Sequence, residues 1–163
     1  EATFTLDART TVCLATLPGD RIATGHTDAI IRVWSTHGDL LQTLHGHTEE
    51  VNRLACAGDF LLSASFDHTA KLWRGDVCIH TLAFTDPCGA VAVLLVDGPL
   101  ILAADNDTVE VWSPSTGECV ATLLDHTEAV VAIHVLPSGD VLTGAYDGTV
   151  RVWNPSTWTC TAV

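Results

Sequence analysis

Hydrophobic and polar positions alternate along this chain in short stretches, and turn residues cut the stretches at regular intervals. The clearest stretch is 142–153, LTGAYDGTVRVW. Thr143 to Tyr146 predicts a short strand, Asp147-Gly148 a tight hairpin turn, and Thr149 to Trp153 a second strand rich in β-branched residues. The pattern recurs: ATGHTDAIIRVW ends at Trp34, LLSASFDHTAKLW at Trp73 and ILAADNDTVEVW at Trp112. The four tryptophans therefore stand 39, 39 and 41 residues apart. A period of roughly 40 residues predicts one small sheet per unit, each stacked beside its neighbours.

Further alternating segments extend each unit to four strands. VNRLAC and TTVCLAT read as inner strands, with turns at Gly58-Asp59 and Pro18-Gly19-Asp20, and LLQTL, CIHTL, CVATL and the closing TWTCTAV read as outer strands. ATFTL near the start matches these outer strands and is expected to belong to a preceding unit. The chain then divides into a single repeat array, 1–163, with units at about 1–44, 45–84, 85–124 and 125–163. The repeated hairpin, its period and its closing tryptophan resemble the WD40-repeat family over nearly the whole chain. The resemblance implies an all-β WD40 β-propeller segment of four four-stranded blades, an arc of a seven- or eight-bladed ring. An open arc is expected to present apolar faces at both ends, to be covered by the remaining propeller blades or by a second copy.

The same resemblance implies a hydrogen-bonded tetrad in the two most complete repeats: His47, Ser63, Asp67 and Trp73, and again His126, Thr143, Asp147 and Trp153. Strands buried on both faces need a polar clasp that leaves no buried donor unpaired. Repeat one reads Asp7-Ala8 where the family has Gly-His. Repeat three has Asp86, Ala103 and Asn106 at the tetrad positions, keeps only Trp112, and is expected to be the least stable. Ser35, Arg74, Ser113 and Asn154 follow the four tryptophans, so the family's Trp-Asp dipeptide is missing throughout.

Composition narrows the function. A formal net charge of -13, from 20 acidic and 7 basic residues, repels phosphate backbones and anionic lipids, so neither nucleic acid nor membrane is expected as a partner. No apolar run approaches a membrane span, and a cytoplasmic location, with the nucleus as an alternative, is expected. Cys78, Cys119 and Cys160 fall at matching places in successive repeats, too far apart for disulfides, and are read as free buried thiols. The absence of methionine and the start at Glu1 suggest an excerpt of a longer protein.

His47, Ser63 and Asp67 have the residue types of a hydrolase triad, but the trio recurs in repeat four, which a clasp requires and a single active site does not. Asp105-Asn106-Asp107 lacks the glycine and distal glutamate of a calcium loop, so no metal or cofactor is expected. Asn106-Asp107-Thr108 fits a glycosylation sequon, relevant only to a secreted chain. The expected function is a non-enzymatic interaction scaffold that binds a protein or peptide on the propeller face. The family's contact positions carry over to Glu50, Asn52, Phe66, Asp105, Val131 and Tyr146, with Phe66 and Tyr146 as aromatic anchors. With no arginine among these positions, phosphopeptide reading is disfavoured. The Arg74-Gly75-Asp76 link gives a closer similarity to the ubiquitin-binding propeller of the phospholipase A2-activating protein type, which makes ubiquitin a candidate partner. A hydrolase and a purely architectural segment are the alternatives.

Overall fold

The computed structural model describes residues 10–84, 90–95 and 99–163. The segment ATFTL and the pairs Asp7-Ala8 and Asp86-Pro87 lie outside the described residues. Four antiparallel sheets follow one another along the chain, each a four-stranded meander whose neighbours in sequence are neighbours in space. Blade 1 comprises β1 Thr11–Leu17, β2 Arg21–His26, β3 Ile31–Ser35 and β4 Leu40–Leu44. Blade 2 comprises β5 Val51–Ala57, β6 Phe60–Ser65, β7 Thr69–Arg74 and β8 Val77–Ala83. Blade 3 comprises β9 Val91–Leu95, β10 Pro99–Asp105, β11 Thr108–Ser113 and β12 Glu118–Leu123. Blade 4 comprises β13 Val130–Val135, β14 Val141–Ala145, β15 Val150–Asn154 and β16 Thr159–Ala162.

The core lies in the seams between blades. Ala23, Ile31, Val33 and Leu44 of blade 1 meet Val51, Leu61 and Trp73 of blade 2. Leu62, Ala64, Leu72 and Leu82 meet Val91, Val93 and Ile101 of blade 3, and Leu102, Val109, Val111 and Leu123 meet Val130, Val141 and Trp153 of blade 4. Strand alternation sends one set of side chains to each neighbour, so central strands of inner blades carry unbroken apolar runs, Phe60 to Leu62 in β6 and Leu100 to Ala104 in β10. At the first seam the backbones close tightly. A Cβ on Gly25 would lie 2.6 Å from Cys13 Sγ and 2.8 Å from the Val51 carbonyl oxygen, so only glycine fits there. The inner strands β1, β5, β9 and β13 line a common cavity of about 530 Å³, the axial channel of the arc.

The far end of the arc is open. The register pairs Ala23–Val33, Leu62–Leu72 and Leu102–Val111 are buried against the next blade, whereas the equivalent Leu142–Val152 pair is only partly buried and Val150 is 58% exposed. At the near end Thr24, His26, Arg32 and Trp34 of blade 1 are all buried. The cysteine reading is corrected in part. Among the described residues the thiols are free, but Cys78 and Cys119 are exposed, because each sits on an outer strand opposite the bulge at its tryptophan.

Candidate functional site: polar clasps and the face they hold

In blade 2, His47 comes from the loop before β5, Ser63 from β6, Asp67 from the β6–β7 turn and Trp73 from β7. The Trp73 indole donates to Ser63 Oγ at 2.8 Å, Ser63 Oγ lies 2.8 Å from His47 Nε2, and His47 Nδ1 lies 2.8 Å from Asp67 Oδ2. The indole can only donate and the carboxylate can only accept, which fixes the direction of the chain. The serine proton points to Nε2 and the Nδ1 proton to Asp67, so a neutral imidazole satisfies every link. Asp67 accepts further bonds from the Thr69 hydroxyl at 2.6 Å and from the Thr69 and Thr48 amides at 2.9 and 3.0 Å.

Burial holds the His47 pKa below the ordinary histidine value, against the pull of the Asp67 carboxylate. Burial pushes Asp67 the other way, but the bonds from Thr69, the Thr48 amide and His47 outweigh it and bring its pKa down to about 2. Neutral histidine facing a carboxylate is therefore the state at neutral pH. Blade 4 repeats the arrangement: Trp153 to Thr143 at 2.8 Å, Thr143 to His126 at 2.7 Å and His126 to Asp147 at 2.8 Å. There the Thr149 hydroxyl, ahead of His126 and the Thr149 and Thr127 amides, holds Asp147 well below the carboxylate range.

The other two blades solve the same problem differently, and sequence reasoning missed both solutions. In blade 1 the Trp34 indole donates to Thr24 Oγ1 at 2.7 Å, and Thr24 Oγ1 lies 2.7 Å from Nε2 of His26. This histidine comes from the blade's own β2, two residues after the threonine, and Asp28 at the turn instead takes a bidentate bond from Arg32 at 3.1 and 2.8 Å. In blade 3 the register Asp105–Thr108 makes a two-residue turn, one residue shorter from Ala103 to Trp112 than in the other blades. The Trp112 indole turns to the Glu110 carboxylate at 2.9 Å on its own strand. The Thr69 and Thr149 contributions were also missed, although the shared Asp-x-Thr spacing in DHT and DGT could have disclosed them.

The predicted contact residues separate by exposure. Tyr146 is 72% and Phe66 42% exposed, and each immediately precedes a clasp aspartate. Their amides are pinned to the carbonyls of Ala129 and Glu50, both at 3.0 Å. Glu50, Asp105 and Val131 are partly buried. Asn52 is not a surface residue: it is 7% exposed, because the register shift between Val51 and Arg53 leaves it as the extra residue, tucked inward. Trp158 takes a left-handed φ of 55° where Gly117 has 73°, and packs on the blade 3–blade 4 core. Among the described residues no group of three or more His, Cys, Asp or Glu side chains could hold a metal ion.

Four meander sheets packed face to face around a channel, with buried Trp–Ser/Thr–His–Asp chains, define blades of a β-propeller. The chain belongs to the WD40-repeat family: the model for "WD domain, G-beta repeat" matches residues 38–74 and 117–154, the two segments that contain the complete clasps. It is 36% identical over 125 residues to the nuclear distribution protein PAC1 of Fusarium vanettenii, covering 66% of this chain and 28% of that protein. It is 31% identical over 112 residues to autophagy-related protein 16 of Arabidopsis thaliana, covering 62% and 21%. Mitochondrial division protein 1 of Schizosaccharomyces pombe is 33% identical over 130 residues, covering 65% and 20%. The chain thus spans between a fifth and three tenths of the length of these relatives. A chain in the crystal structure of the mitotic checkpoint complex shares the fold, with a TM-score of 0.82 at 20% identity over 96% of this chain and 51% of that one. Among the described residues no helix is long and apolar enough to cross a membrane.

Proposed function

We propose that this chain is a non-enzymatic interaction platform that receives a protein or peptide partner on the clasp side of the arc, with Phe66 and Tyr146 as anchors. The observation that carries the reading is the coupling of exposed aromatics to rigid mounts. Each ring is displayed on the residue before an aspartate that accepts four or more hydrogen bonds, so little conformational entropy is lost when a partner orders it. Glu50, Asp105 and Val131 complete the contact set, and the two carboxylates favour a neutral or basic partner surface. Ubiquitin is the first partner to try.

The hydrolase alternative is weakened by access: Ser63 and Thr143 are 0% and 1% exposed, with their oxygens committed to the clasps. The architectural alternative draws on the open Leu142–Val152 face, which suits another blade or a second copy and is compatible with the platform reading. Titrating the chain with ubiquitin by NMR, alongside Phe66→Ala and Tyr146→Ala, tests the proposal. Shifts concentrated on the clasp side and lost in both variants are expected for the ubiquitin reading. Binding of a partner that ignores both substitutions would reject this face, and labelling of Ser63 by a fluorophosphonate would reverse the choice between platform and hydrolase.

A further inference from the structure

We propose that the seam between blades 1 and 2, on the side opposite the clasps, is a docking pocket for an acidic segment of a protein partner. A cavity of about 270 Å³ opens there. It is bordered by the β1–β2 turn at Pro18, the β5–β6 turn at Gly58-Asp59 and Gly75 after β7, which lie at the strand ends remote from the clasp turns. Its floor is Leu17, Val33, Leu44 and Leu61, and Arg21 and Arg74 stand at its edge. The volume suits one or two side chains and falls short of an ordinary small-molecule site.

Charge identifies the occupant. The chain has only 7 basic residues against 20 acidic ones, so an acidic ligand is repelled by most of its surface. Arg32 is paired with Asp28 and Arg151 stands 3.9 Å from Asp125, while Lys71, which donates to the Thr81 hydroxyl, and Arg53, which donates to the Asn52 carbonyl, do not line this cavity. Arg21 donates Nε to the Pro18 carbonyl at 2.9 Å, and the Arg74 guanidinium stands 5.7 Å from the centroid of the Phe60 ring. Both contacts orient the side chain without neutralising it, and neither arginine has a carboxylate partner among the described residues. Ser35, Ser113 and Asn154 occupy the Arg74 position in the other blades, so this pairing is peculiar to one seam. Two oriented guanidiniums over an apolar floor fit a leucine-sized side chain flanked by aspartate or glutamate, whose carboxylates each accept forked N–H bonds. Asp59 at the rim opposes an acidic flank, so the carboxylates of the occupant must seat on the Arg21 and Arg74 side of the opening. The site is independent of the clasp-side reading, because it uses none of the same residues.

The test is fluorescence anisotropy of the whole chain with a labelled Asp-Glu-Leu-Glu-Asp peptide, compared with Asp-Glu-Gly-Glu-Asp and Lys-Lys-Leu-Lys-Lys. Saturable binding of the leucine-bearing acidic peptide is expected, with weaker binding of the glycine peptide and none of the lysine peptide. Replacing Arg21→Gln together with Arg74→Gln should weaken binding at least about tenfold. Both side chains are exposed, and thermal unfolding checks that the variant remains folded. Phe66→Ala with Tyr146→Ala should leave this binding unchanged, so failure here and failure of the clasp-side reading are told apart. The proposal is overturned by absence of saturable binding, by unchanged affinity in the glutamine pair, by equal binding of the lysine peptide, or by full competition from millimolar inorganic phosphate.

Discussion

Blades 2 and 3 have the same strand order and the same closing tryptophan, yet they hold their hairpins differently. In blade 2 a chain of four side chains from the preceding loop, two strands and a turn ties the whole blade end together. In blade 3 the turn is one residue shorter, Ala103 has no hydroxyl to offer, and Trp112 is satisfied by Glu110 two residues away. A long-range clasp fixes the loop that leads into a blade, whereas a local pair fixes only one indole. The exposed aromatics follow the same division, since Phe66 and Tyr146 stand on the two clasped blades and blade 3 displays none at its turn.

The largest expected break in this comparison comes from His47→Ala. It orphans the buried Ser63 hydroxyl and removes a partner of Asp67, at a cost of about 3 kcal/mol, to be read from chemical unfolding. A loss below about 1 kcal/mol would mean that the chain of bonds contributes little. Acid should act next, and on the clasped blades first. His47 titrates below the ordinary histidine value in the folded state, so below about pH 6.5 the unfolded chain takes up a proton that the folded one resists, and stability falls. Asp67 contributes stability that is fully present above its ordinary pKa of 3.8 and is lost as pH falls through about 2. Denaturation midpoints at pH 7, 5 and 3 should decline in that order, with amide exchange in β6 and β7 rising before that in β10 and β11. Midpoints that hold steady or rise with acid would contradict the assigned protonation states. The smallest effect is expected from Glu110→Ala, about 1 kcal/mol or less, because Trp112 is only partly buried and water can replace the carboxylate. Calorimetry showing a loss as large as that of His47→Ala would erase the distinction between the two blades.

The fold was legible because one hairpin is written four times, and repetition fixes period, strand number and the place of each tryptophan. The clasps of blades 2 and 4 were legible for the same reason. What escaped depended on counting single residues or on neighbours. The His26 substitution lies inside a strand, where a histidine carries no label of its role. The short turn of blade 3 is one residue in the spacing from Ala103 to Trp112. Burial of Asn52 follows from a bulge that alternation alone does not place, and the exposure of Cys78 and Cys119 follows from which strand is outermost. The Arg21 and Arg74 pocket joins residues of different blades, and no local pattern in the sequence brings them together.

The most direct test of the central claim, that buried polar chains rivet the clasped blades, is hydrogen exchange of the indole N–H groups followed by NMR at neutral pH. The Trp73 and Trp153 protons, each donated to a hydroxyl that is itself held by histidine, are expected to exchange slowly, and the Trp112 proton markedly faster. Equal exchange at Trp112 and Trp73, or rapid exchange at Trp73 and Trp153, would contradict the account.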